Sequence, residues 1–194
     1  MRSLPFIAIL FLIPLNSLAI PYWPEYGDGE IYYYESNNLP SYAIRYSRIG
    51  EFQTRDYVCD CYGGETYSLV DGVVGLKNCF EYWPTLLSPQ EGIFDPPVPV
   101  AWEGMKDGDV KLWQDDTSQI IIEVTAEIIE TPLGLLDVLR VRLIGFGADY
   151  FPISSYYLHV DLGVVKENSR VLVGWDIPVT IENRSWSSVK AMYR

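Results

Sequence analysis

Fifteen glycines and thirteen prolines divide this 194-residue chain into short segments, and those segments are rich in Tyr, Val, Ile and Trp. Gly tolerates positive φ and Pro fixes φ near about −65°, so both belong to turns, whereas β-branched and aromatic residues suit a pleated, half-buried strand. No stretch carries the stripe of an amphipathic helix. The chain therefore reads as all-β. Two antiparallel meanders that bury their apolar faces on each other give a sandwich or a partly open barrel.

Residues 57–62, 65–70 and 73–77 read as a three-strand meander, with Gly63-Gly64 and Asp71-Gly72 as two-residue connectors suited to primed turns. Residues 119–129 and 136–143 are strand candidates around the turn Thr131-Pro132-Leu133-Gly134. Residues 156–160 and 164–167 flank Asp161-Leu162-Gly163, and 171–175 and 179–182 flank Asp176-Ile177-Pro178. Five prolines, Pro84, Pro89, Pro96, Pro97 and Pro99, make residues 84–100 a long connector, because Pro suits neither a helix interior nor a central strand. This connector separates halves 27–80 and 104–182 of one β domain, residues 20–194. The halves look alike. Asp28-Gly29-Glu30 followed by Ile31 to Tyr34 resembles Asp107-Gly108-Asp109 followed by Val110 to Trp113, and Tyr67 to Asp71 aligns on Tyr157 to Asp161. An internal duplication, with an insertion in the second half, accounts for both matches; turn residues shared by any all-β chain are the other explanation.

The N-terminus has a different grammar. Arg2 precedes an apolar run over residues 4–13, Pro14 breaks it, and Ser17-Leu18-Ala19 places small residues where a signal peptidase reads. About ten apolar residues cannot cross a bilayer core that needs roughly 20. Residues 1–19 are thus expected to be a signal peptide cleaved after Ala19, leaving an exported protein, periplasmic or secreted, with no transmembrane segment. No Cys stands at the cleavage point, so a lipoprotein is not expected.

In the second half, Lys106-Asp107-Gly108-Asp109-Val110 is followed by Glu130-Thr131-Pro132-Leu133-Gly134-Leu135-Leu136, then by Tyr156-Tyr157 and Gly163-Val164-Val165-Lys166. In that order, the chain resembles exported bacterial cell-envelope β-proteins of unknown function, with their T-P-x-G-x-[FL] and Y-Y…G-V-x-x-V/K strand signatures. The resemblance covers mainly residues 104–168 and more weakly 27–80. It implies a cell-envelope β-domain and carries no catalytic residue with it.

Fourteen Lys and Arg against 26 Asp and Glu give a formal charge of −12, which argues against nucleic acid and anionic membrane surfaces as partners. His159 is the only histidine, and no G-x-S-x-G elbow exists, so neither a multi-histidine zinc site nor a hydrolase triad is indicated. Cys59, Cys61 and Cys79 are disulfide candidates in an oxidising compartment. A strict meander sets Cys79 about 12 Å from Cys61, beyond the roughly 7 Å a disulfide spans. Either the chain folds back to join Cys79 to Cys59 or Cys61, or the thiols stay free. Those cysteines with His159 have the count for zinc but not its spacing, so no metal and no cofactor are expected. Asp56, Asp60, Asp107, Asp109, Asp115, Asp116 and Asp161 read as turn and solvated carboxylates. A glycosidase-like pair among the acids would need a separation that sequence cannot give.

The aromatic content, 15 Tyr, 7 Phe and 6 Trp, stands out. A run such as Tyr32-Tyr33-Tyr34 places rings on both faces of a strand, so one face must be covered or offered to a ligand. Core packing is the ordinary reading. Tyr32, Tyr33, Tyr34, Trp113, Tyr156 and Tyr157 are the candidates for a ligand surface. The functional expectation is a non-catalytic binding or envelope-associated structural module whose partner is a hydrophobic small molecule or an envelope protein. A carrier holding a lipid in a half-open barrel is the first alternative, and an Asp/Glu-dependent hydrolase the second.

Overall fold

The computed structural model describes residues 20, 22–24, 26–36, 41–58, 62–82, 90–146 and 155–176. Twelve strands and no helix occur among them: β1 Ile31–Glu35, β2 Tyr42–Ile49, β3 Phe52–Val58, β4 Tyr62–Val70, β5 Val73–Tyr82, β6 Gln90–Trp102, β7 Val110–Gln114, β8 Gln119–Thr131, β9 Gly134–Phe146, β10 Ser155–His159, β11 Gly163–Glu167 and β12 Arg170–Asp176. They form one antiparallel sheet in the order β6-β5-β4-β3-β2-β1-β12-β11-β10-β9-β8-β7. Every neighbour in the sheet is a neighbour in sequence except β12 and β1. The sheet curls until its two ends, β6 and β7, approach each other, which makes a nearly closed barrel.

The turns follow from the residues that make them. Asp71 and Gly72 both have positive φ, 52° and 72°, and close the tight β4–β5 hairpin in which Val70 faces Val73. Thr131 faces Gly134 across the β8–β9 turn, and its hydroxyl donates to the Gly134 carbonyl at 2.9 Å. Two expectations are corrected. Gly63 and Gly64 lie inside β4 rather than in a turn, so the expected strand over 57–62 is really the end of β3 and the start of β4. Residues 90–100 belong to β6, not to a connector. Pro96, Pro97 and Pro99 are tolerated there because β6 is an edge that pairs only with β5, through a register that slips twice. The expected strand over 179–182, the signal peptide, Cys59 and Cys61 lie outside the described residues.

The two halves repeat in three dimensions, six strands each. The Gly29 N–H donates to the Tyr46 carbonyl (2.8 Å), Tyr46 N–H to Glu30 (2.9 Å) and Glu30 N–H to Gly27 (3.2 Å). The second half reproduces this pattern: Gly108 to Val124 (3.0 Å), Val124 to Asp109 (2.9 Å), Asp109 to Lys106 (3.2 Å). Gly29 and Gly108 have φ of 82° and 81°. Register agrees too, Ile31 facing Arg45 as Val110 faces Glu123. The second match in sequence, Tyr67 with Tyr157, relates β4 to β10, again six strands apart. The extra residues of the second half lie largely in the β8–β9 hairpin, whose strands are 13 residues each against 8 and 7 in β2 and β3.

The repeat makes the gap between the ends of the sheet legible. Strand β1 pairs with β12 on one side, Tyr32 facing Trp175 and Tyr33 facing Gly174. The equivalent junction would join β7 to β6, and there no ladder forms. Side chains bridge the seam instead. The Trp113 indole N–H donates to the Pro96 carbonyl at 2.7 Å, Phe94 meets Trp113 edge-on at 5.9 Å, and the Lys111 ammonium lies 3.9 Å from the Trp102 ring centroid. Lys111 and Trp102 occupy the places that Tyr32 and Trp175 hold at the closed junction.

The barrel is filled. Tyr34, Ile44, Tyr46, Tyr67, Leu158 and Leu172 are among the fully buried side chains. The segment before β1 closes one end: Trp23 donates to Gln53 at 2.8 Å, and Tyr26 stacks on Tyr46 with centroids 3.8 Å apart. The Tyr26 hydroxyl accepts the Val164 N–H at 3.0 Å.

Candidate functional site

Alternation along β3 points Gln53 and Arg55 into the barrel, and both are buried. Arg55 is wholly inaccessible to water, a position that an unpaired guanidinium cannot hold. Glu65 on β4 and Glu167 on β11 supply its counter-charges. The Glu65 carboxylate lies 3.7 Å from Nη1, and Nη2 contacts Glu167 directly. Tyrosines complete the shell. Arg55 donates to the Tyr46 and Tyr67 hydroxyls at 3.1 Å each, and the Tyr67 and Tyr156 hydroxyls share a further bond of 3.1 Å. Tyr42 donates to Glu167, and Tyr57 donates to Glu65 at 2.5 Å.

The electrostatics follow from the burial. Desolvation opposes the charge on Arg55, but the tyrosine oxygens and Glu65 outweigh it and hold the guanidinium more firmly protonated than usual. Burial likewise pushes the Tyr34, Tyr46 and Tyr67 hydroxyls above their ordinary range, and Arg55 only partly offsets it. These groups are neutral donors at physiological pH. The cluster ties the first half of the chain to the second across the interior. Its members are paired with one another and shielded from solvent, so the arrangement is built for holding β3, β4 and β11 together.

The aromatic candidates from the sequence fall mostly in the core, the ordinary reading of such residues. Tyr34, Tyr156 and Trp113 point into the core, and Tyr32 is buried against Tyr26 and Tyr46. Tyr34 donates to the Val164 carbonyl at 2.7 Å. Tyr157 faces the other way but is covered by two cations, with Arg140 5.6 Å and Lys166 4.5 Å from its ring centroid. Only Tyr33 is partly open, its hydroxyl donating to Asp176 at 3.1 Å. Five of the six are thus buried. Cys79 is buried in the core.

Asp107 and Asp115 act as turn acceptors, whereas Asp56 lies inside β3, exposed and facing Arg45 and Gly64 across the ladders. Asp115 accepts from the Thr117 and Ser118 N–H groups at 2.7 Å each, and the Thr117 N–H holds its carboxyl below the usual range. Asp107 accepts from the Ala126 N–H at 2.8 Å. The His159 ring nitrogen Nδ1 accepts from the Asp161 N–H at 3.2 Å in the β10–β11 turn. Among the described residues, no three metal-ligating side chains gather. A shallow concavity of about 240 Å³ lies beside the β8–β9 hairpin, lined by Tyr22, Ala126, Ile128 and Leu139 among others.

The buried arginine cluster left no mark in the sequence, because its members are widely separated and belong to no motif. The alternation of Gln53, Arg55 and Tyr57 was the one available signal, an inward face with a charge on it. No protein-family model matches the chain, and no curated protein and no solved structure is found similar to it.

Proposed function

We propose that the protein is an exported, non-catalytic binding or envelope-associated structural module. The observation that carries this reading is the seclusion of its chemistry. Among the described residues, the dense group of charged and hydroxyl side chains around Arg55 is buried and paired internally. Asp107 and Asp115 are engaged as acceptors in turns. Catalysis needs convergent polar groups at a cavity that substrate can enter. Among the described residues, what the molecule offers to solvent is a sheet edge, acidic side chains and scattered apolar ones. The filled interior weighs against the carrier alternative, which needs room for an apolar ligand inside the barrel. The likeness of residues 104–168 to exported envelope β-proteins, and the leader-like residues 1–19, support the cell envelope as the place of action.

The test is the mass of the protein recovered from the envelope fraction of a bacterial host that expresses the full chain. The expected species begins at Ile20 and, under native conditions, carries no small ligand. A chain retaining residues 1–19 in the cytoplasm overturns export. A discrete apolar adduct released on denaturation replaces the module with the carrier.

A further inference from the structure

The internal repeat supplies a standard against which the seam can be judged. Strand β7 stands where β1 stands in the other half, with the same register to its hairpin partner and the same preceding turn. The second edge of β1 is fully occupied: all five of its residues, Ile31 to Glu35, have partners on β12. Among the described residues, the second edge of β7 faces β6 and pairs with no strand. We propose that this edge, Val110 to Gln114, binds an extended segment of a basic, apolar partner, laid antiparallel along β7 as β12 is laid along β1. The proposal rests on the reading of the protein as a binding module and names the surface and the partner class.

Three observations fix the occupant. First, β7 contains no proline and presents a continuous row of backbone groups, the template on which strand addition depends. Second, its solvent side is apolar. Val110 is 66% exposed and Leu112 is 63% exposed, and Ile93 across the seam is 65% exposed. A paired strand would set its own apolar side chains beside these. Third, acids outnumber cations at the rim: Glu91 and Asp95 on β6, Glu103 and Asp107 between β6 and β7, and Asp116 after β7 are exposed, against the exposed Lys106 and the half-buried Lys111. A second copy of this chain would bring the same acidic rim and be repelled, whereas a segment flanked by Lys or Arg is attracted. Strand β6 is itself a poor occupant. Pro96, Pro97 and Pro99 lack the N–H that a ladder needs, and the Pro96 carbonyl already accepts the Trp113 indole.

The probe is a synthetic peptide with the Val-Leu-Val-Gly-Trp core of residues 171–175 between pairs of lysines. Binding to the mature full chain is measured by calorimetry, and amide protection by hydrogen exchange. The expected result is binding about tenfold or more tighter than by the same core flanked by glutamates. The amides of β7 should become protected, and affinity should be lost when alternate peptide nitrogens are methylated. The double variant Val110→Lys, Leu112→Lys, exposed at both positions and expected to keep the native circular dichroism, should lose about tenfold or more in affinity. Binding that survives N-methylation, or no binding up to the solubility of the peptide, overturns the proposal. So does full protection of β7 in the free protein, which would mean that β6 closes the seam, and so does a dimer abolished by Leu112→Lys. None of these outcomes touches leader cleavage or native mass, which decide the underlying reading separately.

Discussion

Arg55 is the residue on which the interior depends. Removing it leaves Glu65 and Glu167 buried with no cation between them, and a buried pair broken on one side costs about 3–5 kcal/mol. Arg55→Met is expected to lose that much in urea unfolding. The triple variant Arg55→Met, Glu65→Leu, Glu167→Leu removes the orphaned charges together, and should be less destabilised than the single change. The tyrosines around the cluster make a second prediction. Tyr26, Tyr34, Tyr46, Tyr67 and Tyr156 all have hydroxyl pKa values raised by burial. The folded state therefore binds these protons more tightly than the unfolded state, where the value is near 10. Their contribution is fully present below about pH 10 and is lost as pH climbs through the raised folded values. An ultraviolet titration should show this buried set ionising only well above pH 10, together with loss of circular dichroism.

At the scale of the element, local sequence is informative where an element is locally determined. Strands β8 and β9 were readable because Ile120, Ile122 and Val124 alternate with more exposed neighbours, and because Thr131 to Gly134 is a turn by composition. Strand β2 was not readable, since Tyr42, Ala43 and Ile44 are all buried in succession and erase the alternation. Strand β6 was hidden by prolines that only its edge position excuses, and that position is decided by the whole sheet. The β10–β11 turn adds a constraint invisible in sequence. Gly163 has φ of 68°, and a Cβ there would overlap the Tyr26 hydroxyl and lie 2.8 Å from Pro24 Cδ. Gly163→Ala would lever the segment before β1 away from the end of the barrel, at a cost of at least about 2 kcal/mol. Gly134, at φ of 118°, has nothing within 4 Å of such a Cβ. Gly134→Ala should bear only backbone strain and cost about half as much, so thermal melts of the two variants separate steric clash from conformational cost.

At the scale of the molecule, the repeat divides the chain into halves that are similar but not independent. The β1–β12 ladder joins them, Tyr34 reaches the Val164 carbonyl, Tyr67 bonds Tyr156, and Arg55 of the first half holds Glu167 of the second. A half alone would expose β1 or β12 as an open edge, leaving Glu167 without its arginine or Arg55 with Glu65 as its one remaining carboxylate. Between β6 and β7, by contrast, the halves share only the connection through Gly104 and Gly108 and the contacts of the seam. Cutting the chain there severs no ladder. Fragments 20–103 and 104–194, each expressed by itself, are expected to be unfolded or aggregated. Coexpressed, they should copurify as a one-to-one complex with the circular dichroism of the intact protein. Its melting temperature should depend on concentration, because the cut turns an intramolecular junction into an association. A fragment that folds cooperatively alone would show that the buried Arg55 cluster and the β1–β12 ladder are not what makes the twelve strands one folding unit.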